Sequence, residues 1–275
     1  MKKRASLNNI IITIIMLILL VFILHPFLWL LISTFKNEPD LIKSPPRFFA
    51  KNYTFLQYIK VWHSIPLLSF MKNTVIFAGS VTILSVLFDS MAGYAFARLN
   101  FKGSKILFTF ILITMMIPFQ VVMIPLFVEE FKLSILNTFT GLILPRTADA
   151  FGIFLMRSFF ITLPKDLEEA GRIDGCSEFR IFFQIMLPLC KPGIITLGIF
   201  NLMGNWNDLL YPLMLTSSTE MRTLSAGLAM FVGNRTIEYG PTLAASIIAL
   251  LPLLIIYIFA QRYFIQGVAT TGLKS

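Results

Sequence analysis

A few polar side chains interrupt an otherwise apolar chain, and they fall into four groups. Asn201, Asn205, Asn207 and Asp208 gather in one short run with Trp206 and Tyr211 among them. Amides and a carboxylate can bond a hydroxyl-rich solute while flat rings stack on its faces. The same residues can equally bond neighbouring helices, with the Trp at an interface. Arg146 and Asp149 stand three apart, the spacing of an ion pair within one helix. Asp89 is isolated in an apolar stretch. A charge at membrane depth costs several kcal/mol, so Asp89 needs a basic partner on another helix or access to a polar cavity. The fourth group is "LEEAGRIDGCSEFRIFFQIMLPLCKP", residues 167–192, with Glu168, Glu169, Asp174 and Glu178.

Several chemistries are excluded. His25 and His63 are far apart with no HExxH, and Cys176 and Cys190 form no CxxC, so neither a metal site nor a disulfide framework is indicated. No Ser/His pair or carboxylate pair has a recognisable catalytic spacing, which leaves no catalytic residue. An intramembrane enzyme using Asp89, Asp149 or Asp208 is the weaker reading. No GxxxxGK[ST] loop occurs, so this chain is expected to bind no nucleotide cofactor and not to be an enzyme.

The elements that must position these groups follow from composition. Of 275 residues, 56% are hydrophobic and only 13% charged. A soluble domain carries roughly 25% charged residues, which points to an integral membrane protein. The net charge of +9 is scattered over short loops with no basic stripe, which argues against nucleic acid and for anionic lipid. Spanning the hydrocarbon takes about 20 apolar residues per helix. Stretches near 10–33, 74–97, 106–128, 139–161, 193–215 and 243–264 satisfy this, giving an all-α polytopic protein of about six spans in a single domain, 1–275. The start "MKKR" resembles a signal peptide, but its apolar run continues through Pro26 to Ile32 and reads as a retained first helix. Most lysines and arginines fall on the N-terminal side of the first span and in alternate loops, so both termini and the 165–192 loop are expected in the cytoplasm. The 36–73 loop, with "KSPPRFF", is expected to lie along the outer surface as short amphipathic pieces.

The loop's local chemistry predicts two helices. Asp166 and Glu169 have the spacing of a capping box, and Gly175 can stop the helix at its C′ position. Ser177 can cap a second helix in which Phe179, Phe182, Phe183 and Met186 share one face, and Pro188 turns the chain toward the fifth span. On these grounds alone, Glu169 and Gly175 can be simply a cap and a stop.

The run "EAGRIDG" followed by F-x-x-I-x-L-P resembles the EAA loop of permease subunits of bacterial ABC importers. "AGYAFARLNFKG" (92–103), "NWNDLLYPLML" (205–215) and the block 239–275 resemble the carbohydrate group, specifically its smaller permease as in the maltose system. The resemblance implies a type I importer permease fold whose loop is a coupling helix docking on a cytoplasmic ATPase. Glu169, Ala170, Gly171, Asp174, Gly175, Phe182 and Pro188 match that loop. It further implies a second permease, two ABC ATPase subunits that hold ATP and Mg, an extracytoplasmic sugar-binding protein, and a location in the cell membrane. The cargo implied is a sugar, with a non-sugar solute as the alternative. Gly272 and Lys274 in "TGLKS" are expected to reach the ATPase. Gly171 replaces the family's second alanine and is expected to weaken an exposed helix by about 1 kcal/mol. Asp89 departs from the family's small or apolar residue.

Overall fold

The computed structural model describes residues 7–45, 47–229 and 238–272. Among them every regular element is helical. The chain forms two compact units, one from residues 1–67 and 228–251, the other from 68–227 and 252–275.

In the first unit, α1 (Leu7–Ser33) is apolar around its whole circumference and exposes large side chains from Ile10 to Leu31, as a lipid-facing span does. The short helices α2 (Glu38–Leu41) and α3 (Leu56–Ser64) follow. Lys36 is buried; its ammonium donates to Ser33 Oγ (3.2 Å) and Arg47 O (2.6 Å), and burial lowers its pKa against the pull of Asp40. The Glu38 carboxylate accepts the N–H groups of Tyr239 (2.7 Å) and Gly240 (3.0 Å). A negative charge there satisfies the orphan donors that begin the final helix.

The second unit is organised by α4 (Leu67–Arg98), about 48 Å long at 1.5 Å per residue. The second span therefore begins earlier than 74, which takes its first turns out of the expected surface loop. Then come α5 (Ser104–Thr114), α6 (Phe119–Lys132), α7 (Phe139–Ile143) with a 3₁₀ turn (Leu144–Arg146), and α8 (Ala150–Thr162). The loop forms α9 (Asp166–Ile173), α10 (Glu178–Arg180), a π turn (Ile181–Met186) and α11 (Leu187–Leu189). The chain continues through α12 (Lys191–Asn207), α13 (Leu210–Leu215), α14 (Leu224–Leu228) and α15 (Tyr239–Gly272).

Among the described residues three helices are long and apolar enough to cross a membrane alone, and three bent pairs, each taken as one span, bring the count to six. The expected 106–128 and 139–161 fall on two of these pairs, and the third joins Glu178–Leu189 to Lys191–Asn207, so the expected 193–215 is only its second half. The first breaks by 99° between Thr114 and Phe119, because Pro118 disfavours helical backbone at the residue before it. The second breaks by 43° where Asp149 turns extended and starts α8 as its N-cap. The expected 193–215 also stops early: α12 ends at Asp208, whose extended backbone leaves Oδ1 accepting the Tyr211 N–H (3.1 Å). The third bent pair turns by 82° at Cys190, between Pro188 and Pro192.

Two buried clusters sit along α4. Phe77 and Val81 pack with Leu142, Tyr211 and Leu215; Tyr94 packs with Met156, Phe160, Phe182 and Met186. Where α4 meets α8, Gly152 has no room for a methyl group, since its Cβ would stand 2.1 Å from Asp89 Oδ2. Small residues allow such close helix contacts in membranes.

Candidate functional site

Two places collect the polar residues. The first is a cavity of about 610 Å³ in the second unit. Its polar lining is Glu129, Arg146, Asp149, Asn201 and Asn205, and Phe119 and Tyr211 supply aromatic walls. Arg146 and Asp149 do not pair within one helix, because the helix ends between them. Arg146 instead reaches Asp208 Oδ2 (2.6 Å), donates to Asn205 Oδ1 (3.1 Å), and lies over the Tyr211 ring at 4.1 Å. The pair thus joins the broken ends of two spans across the cavity wall. Tyr211 is itself fixed by donating to Gly141 O (3.0 Å).

Behind the wall, Asn201 donates to Ser85 Oγ (3.1 Å) and Ser85 donates to Asp89 Oδ2 (2.5 Å). Asp89 is fully buried and accepts the Asp149 backbone N–H (2.9 Å). Among the described residues Asp89 forms no ion pair and it does not line this cavity; it is held instead at the start of α8, where the helix dipole favours an anion. Of the six residues expected along a path, Asn201, Asn205 and Tyr211 line the cavity, and Asp208 holds Arg146 at its edge. Trp206 is buried, and Asn207 is exposed and turns back to donate to Met203 O (3.0 Å); neither lines the cavity. The polar and aromatic cavity residues that sequence reasoning passed over are Phe119 and Glu129; one was hidden in an apolar span, the other at its end.

The second place is the loop. Helix α9 is strongly amphipathic. Glu168 and Gly171 face inward, and Asp166, Glu169, Ala170 and Ile173 face out, with Ile173 86% exposed. Asp166 makes no capping bond; Lys165 occupies the N-cap without one, so the predicted box is absent. The predicted stop is present in full. Gly175 has φ +76°, its N–H donates to Arg172 O (3.1 Å), and the Cys176 N–H donates to Gly171 O (2.9 Å). This is the Schellman arrangement, which needs a left-handed residue. Asp174 is exposed as the C-cap. Ser177 accepts the Arg180 N–H (3.4 Å) and starts the next helix.

Gly171 does not sit on an exposed face, as expected; it is buried, and its Cβ would lie 3.0 Å from Ile185 and 3.2 Å from Ile181. Its lack of a side chain lets α9 settle against the following segment. The predicted Phe stripe is also reset. Phe182 and Met186 are buried while Phe179 and Phe183 are exposed. The π turn at Ile181–Met186 shifts the facing residues by one position, and the missing N–H of Pro188 makes the wider turn inexpensive. Pro188 is exposed.

The loop is tied to α4 by charges that sequence reasoning missed. Arg98 Nε stands 3.1 Å from Glu168 Oε1, an ion pair in which the N–H is not aimed at the oxygen. Arg98 Nη2 also donates to Phe160 O (2.6 Å) and to Leu163 O, both at the end of α8. Arg172 donates to both oxygens of Glu178 (2.7 and 3.3 Å), and Tyr94 donates to Glu178 Oε2 (3.3 Å). Burial pushes the Glu168 carboxyl above its ordinary value, only partly opposed by Arg98 and Arg172, whereas the bond to Glu178 raises the Arg172 guanidinium. Gly272 is the last helical residue of α15, and Lys274 lies outside the described residues.

The chain is similar to the arabinooligosaccharides transport system permease protein AraQ of Halalkalibacterium halodurans, 37% identical over 90% of this chain and 90% of the relative. It is 34% identical to the diacetylchitobiose uptake system permease protein NgcG of Streptomyces coelicolor, over 88% of this chain and 81% of that one. Its fold is that of a chain in the crystal structure of a bacterial ABC transporter involved in the import of the acidic polysaccharide alginate. The TM-score is 0.81 at 22% identity, over 96% of this chain and all of the other. Residues 89–270 match the family of binding-protein-dependent transport system inner membrane components, and the chain belongs to that family, an all-α, multi-pass membrane permease.

Proposed function

We propose that this chain is one permease half of an ATP-driven importer of oligosaccharides. A second permease completes the path, two cytoplasmic ABC ATPase subunits bind and hydrolyse ATP with Mg, and an extracytoplasmic binding protein delivers the sugar. Both termini face the cytoplasm. The observation that carries the reading is α9: a short helix whose free face presents Glu169, Ala170 and Ile173 while its other face is locked into the chain. An exposed apolar residue beside a carboxylate is what a docking cleft with a basic rim would take. Asp174, Gly175, Phe182 and Pro188 shape that helix and its continuation; Gly272 and Lys274 make a second ATPase contact. The sugar cargo is supported by the transport names of the relatives and by a cavity edged with amides, a guanidinium and two aromatic rings. Asn201, Asn205 and Tyr211 contact hydroxyls directly, and Asp208 orients Arg146. Trp206 acts through packing and Asn207 through its bond to the end of α12, and neither contacts the sugar.

The test is purification by a tag on this chain, identification of the companion subunits, and reconstitution with the binding protein. ATP-dependent accumulation of a labelled neutral oligosaccharide is expected. Accumulation of only amino acids, peptides or phosphonates would overturn the sugar assignment.

A further inference from the structure

The loop helix is eight residues long and leaves the chain at both ends through non-helical backbone, Leu163 and Pro164 on one side and Gly175 on the other. Peptide alone would let it swing. Side chains must therefore carry any force applied to its outer face, and they converge on one guanidinium. Arg98 is the last residue of α4; its side chain and that of Glu168 are 3% and 5% exposed. The same guanidinium holds the Phe160 and Leu163 carbonyls that end α8. A positive charge there also complements the negative end of that helix. A planar fork presents several donors in fixed directions from separate nitrogens, so it can fasten three elements at once with a geometry that a single ammonium nitrogen does not reproduce. One turn back on α4, Tyr94 reaches Glu178, which Arg172 of α9 grips with two donors.

We infer that Arg98 and Glu168 are positioning residues that transmit movement of α9 to α4 and α8, with Arg172–Glu178–Tyr94 as a parallel tie. Movement imposed on the outer face by an ATPase reaches the cavity through this fastening, because α8 begins at Asp149 on the cavity wall. The inference rests on the importer function proposed above.

The test uses the complete transporter in proteoliposomes, comparing the natural chain with Glu168→Gln. Two quantities are read: ATP hydrolysed per sugar imported, and the change that ATP with vanadate causes in maleimide labelling of Asn201→Cys, in a background with Cys176→Ser and Cys190→Ala. Glu168→Gln is expected to raise the ratio at least threefold and to reduce the ATP-induced labelling change at least fivefold in complexes that still co-purify. Unchanged values for both would overturn the inference. If Glu168→Gln does not assemble, Arg98→Lys and Glu168→Asp, which keep both charges, are read the same way: an altered ratio supports the link and a natural one overturns it. Labelling needs no sugar, so the link is still decided if the cargo assignment fails; that failure would show as absent uptake by the natural complex.

Discussion

Arg98 ends a membrane-length helix and Glu168 sits in the first turn of a loop helix, and their charges meet 3.1 Å apart out of reach of water. Removing one partner of such a pair leaves a buried charge and costs about 3–5 kcal/mol, whereas replacing both by apolar residues is often close to neutral. Arg98→Leu should therefore lower the thermal midpoint of the purified complex markedly, and adding Glu168→Leu should recover much of the loss. The recovery should stay incomplete, because the Phe160 and Leu163 carbonyls lose their donor. A double-mutant cycle from thermal unfolding in detergent measures this; additive losses would show that the pair is not coupled.

The raised pKa of Glu168 has a pH signature. A carboxyl with a folded pKa above its ordinary 4.5 takes up a proton in the folded chain before the unfolded one does. Its contribution to stability is then most favourable below 4.5 and declines as pH rises through the window between the two values. Glu168→Gln should flatten this component of the midpoint-versus-pH curve. Parallel curves for the two proteins would mean that Glu168 titrates as an ordinary carboxyl.

Gly152→Ala should destabilise by about 1–3 kcal/mol through overpacking, since its Cβ falls on the Asp89 carboxylate. Asp89→Ser with Gly152→Ala should cost less than the sum of the single changes, because the smaller side chain vacates that space. Additivity of the two in thermal unfolding would place the strain elsewhere.

Within the loop, Gly175→Ala forces a side chain into left-handed backbone and should cost about 1–2 kcal/mol of local stability. Ser177→Ala removes an N-cap worth about 1 kcal/mol. Both should speed amide exchange at residues 166–180 while leaving exchange in α4 unchanged; faster exchange throughout would point to global loosening.

Much of this was legible in the residues. Six apolar stretches, the Gly175 stop and the Ser177 cap depend on local composition and backbone preference, and local rules find them. The breaks at Pro118 and Asp208 are legible afterwards as a proline and a side-chain cap, but an apolar run of the right length hides them. The Arg98–Glu168 pair leaves no local signal. Arg98 reads as an ordinary basic residue beside a span, and Glu168 as one more acid in a helix's first turn; only the fold brings positions seventy residues apart together. Asp89 misled for a related reason: its partners are a neighbouring hydroxyl and a backbone N–H, which a search for opposite charges does not consider. The reset of the Phe stripe came from a π turn, whose one-residue shift no 3.6-residue periodicity contains.

The central claim, that the outer face of α9 couples an ATPase to sugar movement, is tested most directly by Glu169→Lys in the reconstituted transporter. Glu169 is exposed among the described residues, so the substitution should leave the permease pair folded and inserted. ATP-driven uptake of the labelled oligosaccharide is predicted to fall at least tenfold at equal amounts of permease. Uptake at the natural rate with Lys at that position would contradict the account.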